Sequence, residues 1–311
     1  MDDVLAVAYD SKSNGSLRDD LNILQNRCRP VCPCDKCGGE WAGARLALCA
    51  PCVSCRASPE GNRIWIMQLQ FVGCGDAFGS GGRFNTCFHL TGARTNCLID
   101  CGATSLVALK RLGIERNAID LILITHFHAD HFGGVPFFVL DAQFFSKRSQ
   151  PLTIAGPIGL KQAYANVMET AFAGSSRASR KFELSLVELA PDKLWHAHNI
   201  DVLPTRVRHG EVDGPFHAYR IIAEKRVIAY TGDTEWTDAL IGIGRDADLL
   251  IAEAYSFEKK VPLHLSYPSL LEQLAAINPK RLILTHMNDD MLGRTIEVTH
   301  ERATDGLIVA V

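Results

Sequence analysis

The stretch Leu121-Ile122-Leu123-Ile124-Thr125-His126-Phe127-His128-Ala129-Asp130-His131-Phe132-Gly133-Gly134 decides how the chain is read. Four consecutive aliphatic residues predict a short strand buried on both faces. That run stops abruptly, and three histidines and an aspartate follow within six residues. Imidazole and carboxylate are the customary ligands of zinc and related divalent ions. The expectation is a strand that delivers metal ligands at its exit.

Four further strand-like segments end in the same way. The alternating Ile200–Val207 runs into His209. A short hairpin, Phe216–Ala223 and Lys225–Tyr230, leads to Asp233. Asp248-Leu-Leu-Ile-Ala leads to Glu253, and Arg281-Leu-Ile-Leu-Thr leads to His286. Open α/β sheets place their ligands outside the carboxyl ends of strands. A lone His209 or His286 would be read as an ordinary histidine. Together with the His126-x-His128-x-Asp130-His131 run, they argue for one site.

The rest of the chain reads as a frame. Leu69–Gly73 is a strand, followed by the glycine-dense Gly73–Gly82 and then Arg83, Asn85 and Thr86. Glycine lets a backbone approach a ligand closely, so Ser80, Arg83 and Asn85 are candidate substrate contacts; a plain hairpin connection fits the same residues. Arg206 and Arg208 are further candidates to meet a negative charge. Phe88-His89-Leu90 and Asn96–Asp100 read as strands, with His89 a strand histidine. Helical spacing covers Ser105–Leu112, Phe132–Phe145, Gly159–Phe172, Thr237–Ile243 and Tyr267–Ile277. His196 and His198, between two strands, are taken as surface residues. Strands mixed with helices in this order predict the α/β class.

Composition narrows the function classes. The 311 residues carry a net charge of −3 with 47% hydrophobic and 22% charged residues, the profile of a soluble globular protein. No global basic field points to nucleic acid. No apolar run approaches the roughly 20 residues of a membrane span, and the first residues lack a secretory pattern. A cytoplasmic protein is the expectation.

Residues 1–66 differ from 67–311 and are read as a separate cysteine-rich extension. Seven of the 11 cysteines fall there. Cys34-Asp-Lys-Cys37 and Cys49-Ala-Pro-Cys52 have the spacing of a four-thiolate zinc ribbon. An extension whose cysteines share no task, or a natural start at Met67, are the other readings. The remaining Cys74, Cys87, Cys97 and Cys101 sit among apolar residues and are expected to be small core residues.

Thr125-His-Phe-His-Ala-Asp-His131, followed in order by His209, Tyr230-Thr-Gly-Asp233-Thr and Leu284-Thr-His286, resembles the metallo-β-lactamase-fold hydrolases from about Met67 to the C-terminus. The resemblance implies a four-layer αββα sandwich with a dinuclear metal site at one edge. It implies that His126, His128 and His209 hold one metal, that Asp130, His131 and His286 hold the other, and that Asp233 bridges them. Zinc is the first expectation, and manganese or iron suit the same ligands. Two such cations would activate a water for attack on phosphorus or a carbonyl carbon, with Asp130 beside it.

Leu98-Ile-Asp100-Cys-Gly, the Gly73–Gly82 loop with its downstream Arg83, and His264-Leu-Ser266 are most similar to the ribonuclease Z-like and phosphodiesterase branch. There the counterpart of His264 contacts the scissile phosphate and assists the leaving oxygen, a role that suits a near-neutral imidazole. Asp130 and His264 are therefore the implied catalytic residues. That branch also carries an arm that grips transfer RNA, between the counterparts of His209 and Asp233; here only a short hairpin joins them. The expectation is a metal-dependent phosphodiesterase acting on a small or general phosphodiester, with long RNA an unlikely partner. Homodimers are common in the branch. The alternatives are a lactone, thioester or β-lactam hydrolase of the same fold, a tRNA 3′-processing endonuclease, a mononuclear-iron redox protein, and a zinc-ribbon nucleic-acid-binding protein.

Overall fold

The computed structural model describes residues 66–311. The candidate ribbon ligands Cys34, Cys37, Cys49 and Cys52 lie outside the described residues.

A first sheet is built from β1 (Gln68–Gly73), β2 (Cys87–Thr91), β3 (Asn96–Ile99), β4 (Leu121–Leu123), β5 (Leu152–Pro157) and β6 (Leu184–Leu189). A second is built from β7 (Trp195–Ala197), β8 (Ile200–Arg206), β9 (His217–Ala223), β10 (Arg226–Tyr230), β11 (Leu249–Glu253), β12 (Leu282–Thr285) and β13 (Glu301–Arg302). The last strand, β14 (Ile308–Ala310), returns to the first sheet and pairs antiparallel with β1.

Alternation along the strands sorts the core into three clusters. Leu121 and Leu123 face the space between the sheets, with Phe71, Phe88, Tyr219, Tyr230 and Ile251. Ile122 and Ile124 face the other way and pack with Leu109, Phe138, Leu160 and Met168, from helices Ser105–Arg111, Val135–Phe144 and Leu160–Ala171. On the second sheet Ala229, Leu250 and Leu284 pack with Leu240 and Leu270, from helices Ala239–Gly244 and Tyr267–Ile277. Helix, sheet, sheet, helix is the four-layer α/β sandwich expected. Each fully buried Leu or Ile contributes about 1.5–3 kcal/mol.

Strand direction brings the candidate ligands together. β3, β4 and β5 are mutually parallel. β8 and β10 both run antiparallel to β9, and β10, β11 and β12 are parallel. β8, β10, β11 and β12 therefore finish on one rim of the second sheet, and β4 delivers its candidate ligands to the same place.

Two local readings change. His196 lies inside β7, exposed and paired with Asp201 at 2.6 Å, and His198 forms a two-residue turn with Asn199. Both turn residues have positive φ, 51° and 60°, which suits the right-handed twist of a tight hairpin. Glu224 and Lys225 do the same between β9 and β10, at 49° and 68°, so that strand starts at Arg226. Neither pair contains the glycine that announces such turns. Cys74, Cys87, Cys97 and Cys101 are all buried and free, as expected of core residues.

Candidate metal centre

The exit of β4 is pinned from both sheets. Tyr219 donates its hydroxyl to the Ile124 carbonyl at 2.6 Å, and the His217 N–H donates to the Thr125 carbonyl at 3.0 Å. The Thr125 N–H and hydroxyl both donate to Asp100, at 2.8 and 2.9 Å. The chain then enters the short helix Ala129–Phe132, which carries Asp130 and His131. The loop after β3 crosses beneath it so closely that a Cβ on Gly102 would stand 2.1 Å from the Asp130 carbonyl oxygen. Only glycine fits there.

Three imidazoles converge on one side. His128 Nδ1 and His209 Nε2 are 3.1 Å apart. His209 Nδ1 donates to the Leu263 carbonyl at 2.7 Å, which leaves Nε2 with its lone pair turned inward. Leu263 adopts φ 67° to present that carbonyl, a strained conformation for a bulky residue. His126 places Nδ1 3.1 Å from the Thr125 hydroxyl, and its buried Nε2 has no partner among the described residues.

Asp130, His131, Asp233 and His286 form the second group, all buried. His131 Nε2 lies 3.3 Å from Asp130 Oδ2, 3.2 Å from Asp233 Oδ2 and 3.4 Å from His286 Nε2. His286 Nε2 lies 3.2 Å from both carboxylates. A tetrahedral ion with bonds of about 2.0–2.1 Å separates its ligands by about 3.3–3.4 Å, so the donor atoms are spaced to surround a small divalent cation. The same Asp233 oxygen is 3.7 Å from His209 Nε2, and Asp233 Oδ1 has no hydrogen-bond partner among the described residues. Asp233 thus stands between the two groups. The orphaned nitrogen and oxygen atoms fit divalent ions, because buried polar atoms are otherwise paired.

Charge is divided unevenly. Burial works against a proton on His131, but Asp233, Asp100 and Asp130 outweigh it and hold its pKa well above the histidine range. Burial is likewise outweighed at His286, where Asp233, Asp130 and Glu253 lift the pKa to about 10. Asp130 and Asp233 stay well below the carboxylate range because His131 and His286 offset their burial. His126 and His128 are lowered by burial and by neighbouring imidazoles. One group is built from imidazoles alone; the other sets two carboxylates against two imidazoles.

Two carboxylates orient the candidate ligands. Asp100 Oδ2 accepts from His131 Nδ1 at 2.7 Å, which turns Nε2 towards the second group. Buried Glu253 accepts from His264 Nδ1 and lies 3.4 Å from His286 Nδ1. Its other oxygen accepts the N–H groups of Thr234, at 2.8 Å, and Leu265, at 3.2 Å. Sequence reading marked Glu253 as a ligand-type strand ending and Asp100 as part of a motif, without these roles. A carboxylate closing a wholly apolar strand was the signal. The Leu263 carbonyl had none.

The glycine loop is occupied internally. The Ser80 hydroxyl donates to Asp76 at 2.7 Å, Arg83 donates to the Ala303 carbonyl at 2.9 Å, and Asn85 donates to the Asp76 carbonyl at 2.9 Å. Arg206 pairs with Asp213 at 2.7 Å and Arg208 with Glu235 at 2.6 Å. Each of these candidate substrate contacts thus has at least one partner within the protein.

A family profile described as anti-Pycsar protein Apyc1 matches residues 67–304. The chain belongs to that family. It is also 26% identical over 282 residues to ribonuclease Z of Geobacillus kaustophilus, covering 73% of this chain and 90% of that protein. Among solved structures, human short-form tRNase Z superposes with a TM-score of 0.65 at 23% identity, over 78% of this chain and 99% of that one. The metallo-β-lactamase fold protein YhfI of Bacillus subtilis gives 0.63 at 19% identity, over 78% and 99%. The protein is a metal-dependent hydrolase of the metallo-β-lactamase fold, in its ribonuclease Z-like branch. Among the described residues no helix is long and apolar enough to cross a membrane.

Proposed function

We propose that the protein is a phosphodiesterase acting on a small or general phosphodiester. The observation that carries this is the placement of His264. Its Nδ1 is held by Glu253 and its ring lies beside His209 and His286, with centroids 4.8 and 5.8 Å away. A lactone or β-lactam centre has less need of an added imidazole acid at that point.

His126, His128 and His209 would hold one divalent cation, and Asp130, His131 and His286 the other, with Asp233 shared; zinc is the first expectation, manganese or iron the alternatives. When bound, the pair would polarise the phosphoryl oxygens and lower the pKa of a water, to about 7 in the case of zinc. Asp130 would lie beside the attacking water and orient it by accepting a hydrogen bond. His264 has its pKa raised, because Glu253 overcomes its burial. It keeps a proton to give to the leaving oxygen.

A second reading is tRNA 3′-end cleavage, favoured by the relatives named ribonuclease Z. Those relatives lend no support to ruling out long RNA. Against it stands the segment between His209 and Asp233, which holds only a loop and the β9–β10 hairpin. Residues 67–311 would be the hydrolase domain in either case.

A panel of bis-p-nitrophenyl phosphate, a lactone, a thioester, a chromogenic β-lactam and a precursor tRNA tests the reading. Cleavage of the phosphodiester alone is the expected result. Preference for the lactone, thioester or β-lactam overturns it, and efficient precursor-tRNA cleavage moves it to the second reading.

A further inference from the structure

We infer that Tyr255 is a positioning residue for His264; the inference rests on the phosphodiesterase reading above. β11 ends at Glu253, and residues two apart on extended chain face the same way. Glu253 and Tyr255 therefore address the same neighbour. Glu253 takes His264 Nδ1. The Tyr255 ring lies stacked on the imidazole, with centroids 4.4 Å apart and planes inclined by 26°.

One hydrogen bond leaves an imidazole free to tilt about that bond. The stacked phenol blocks the tilt on one face, and His209 stands edge-on to the ring at 76°. The tyrosine is itself fixed. Its N–H donates to the Leu265 carbonyl at 2.8 Å, and its carbonyl accepts from the Asn288 N–H at 2.9 Å. These bonds tie it to the residue after His264 and to the segment after His286. With Nδ1 committed to Glu253, only Nε2 remains to meet substrate.

In the reaction, the oxygen of water forms a new bond to phosphorus and its proton passes to solvent, while the bond to the leaving oxygen breaks. The proton on His264 Nε2 passes to that oxygen, an alcohol or phenol and a phosphomonoester leave, and solvent restores the proton. A tilted imidazole misses the leaving oxygen, and misplacement by about 1 Å can cost roughly 100-fold.

The test uses the metal-loaded full chain and aryl phosphodiesters whose leaving phenols range from acidic to weakly acidic. Tyr255→Leu should lower kcat roughly 10- to 100-fold for the weakly acidic phenols. It should barely affect p-nitrophenol release, and KM and metal content should be unchanged. Tyr255→Phe, which keeps the stack, should restore the rate lost in Tyr255→Leu. In a His264→Ala background Tyr255→Leu should add nothing. A uniform fall across the series, a further fall in that background, or failure of phenylalanine to restore the rate overturns the inference. Independently of turnover, the His264 ring resonances should broaden or split in Tyr255→Leu and stay single in Tyr255→Phe. Unchanged sharp resonances in Tyr255→Leu overturn the positioning role even if no ester is cleaved. A wild-type protein that cleaves no member of the series removes the phosphodiesterase reading instead.

Discussion

Replacing Asp100 with asparagine exchanges one buried oxygen for an amide and sets two neighbours in conflict. Asp100 Oδ1 accepts the Thr125 N–H at 2.8 Å, and Oδ2 accepts His131 Nδ1 at 2.7 Å. The side chain has no access to solvent. An asparagine can serve only one of these donors. If its NH2 faces His131, the imidazole is driven to the tautomer with its proton on Nε2. That proton then points between Asp130 and Asp233, where a cation needs a lone pair. Loss of such an orienting partner typically weakens metal binding about 10- to 100-fold, roughly 1.4–2.7 kcal/mol. If the NH2 faces Thr125 instead, a buried N–H loses its acceptor and folding stability falls by about 1–3 kcal/mol. Titration of the metal-free Asp100→Asn protein against a chromophoric chelator should show one ion bound about 10- to 100-fold more weakly. The ion at His126, His128 and His209 should be little changed. Thermal unfolding without metal distinguishes the two orientations. Wild-type affinity at both sites together with wild-type stability would refute the orienting role of Asp100.

Alanine at His126, His128, His131 or Asp233 should lower metal content along with activity, measured by elemental analysis beside turnover; full metal and full activity would rule out the site. His264→Ala should cut phosphodiester turnover about 100-fold and spare metal binding; equal loss of both would argue for a structural role. The pKa of His264 is raised above its ordinary 6.5 by Glu253, so the acid form persists beyond that pH and turnover of esters with poor leaving groups should fall as pH rises through the raised value. In Glu253→Gln that descending limb should move to lower pH. Asp141 pairs with Lys110 at 2.7 Å and Arg116 at 2.9 Å, and these cations outweigh its burial and depress its pKa. Its contribution is complete above the unfolded value of about 3.9 and is lost as pH falls through the depressed one. Denaturant unfolding of Asp141→Asn should therefore show a loss of about 1–3 kcal/mol at neutral pH that vanishes in strong acid.

The main elements were legible because their signals are local. Leu121 to Ile124 announced a strand buried on both faces, and the His126–His131 run announced ligands at its exit. The turns at His198-Asn199 and Glu224-Lys225 were not legible, since their positive φ values are imposed by strand pairing and not by glycine. The internal partners of Ser80, Arg83 and Asn85 were equally illegible. Polar residues in a glycine loop look available in one dimension, whereas in the fold the first and last donate to Asp76 and Arg83 to the Ala303 carbonyl.

By itself the sequence determined which donor types the protein owns and that each follows an apolar strand, because alternation and abrupt polar endings are properties of neighbouring residues. Tertiary structure alone decided which atom of each donor faces the site. His131 is turned by Asp100, 31 residues away, and His209 by the Leu263 carbonyl, 54 residues away. Such partners meet only when strands from two sheets finish on one rim, and nothing in either local segment encodes the meeting.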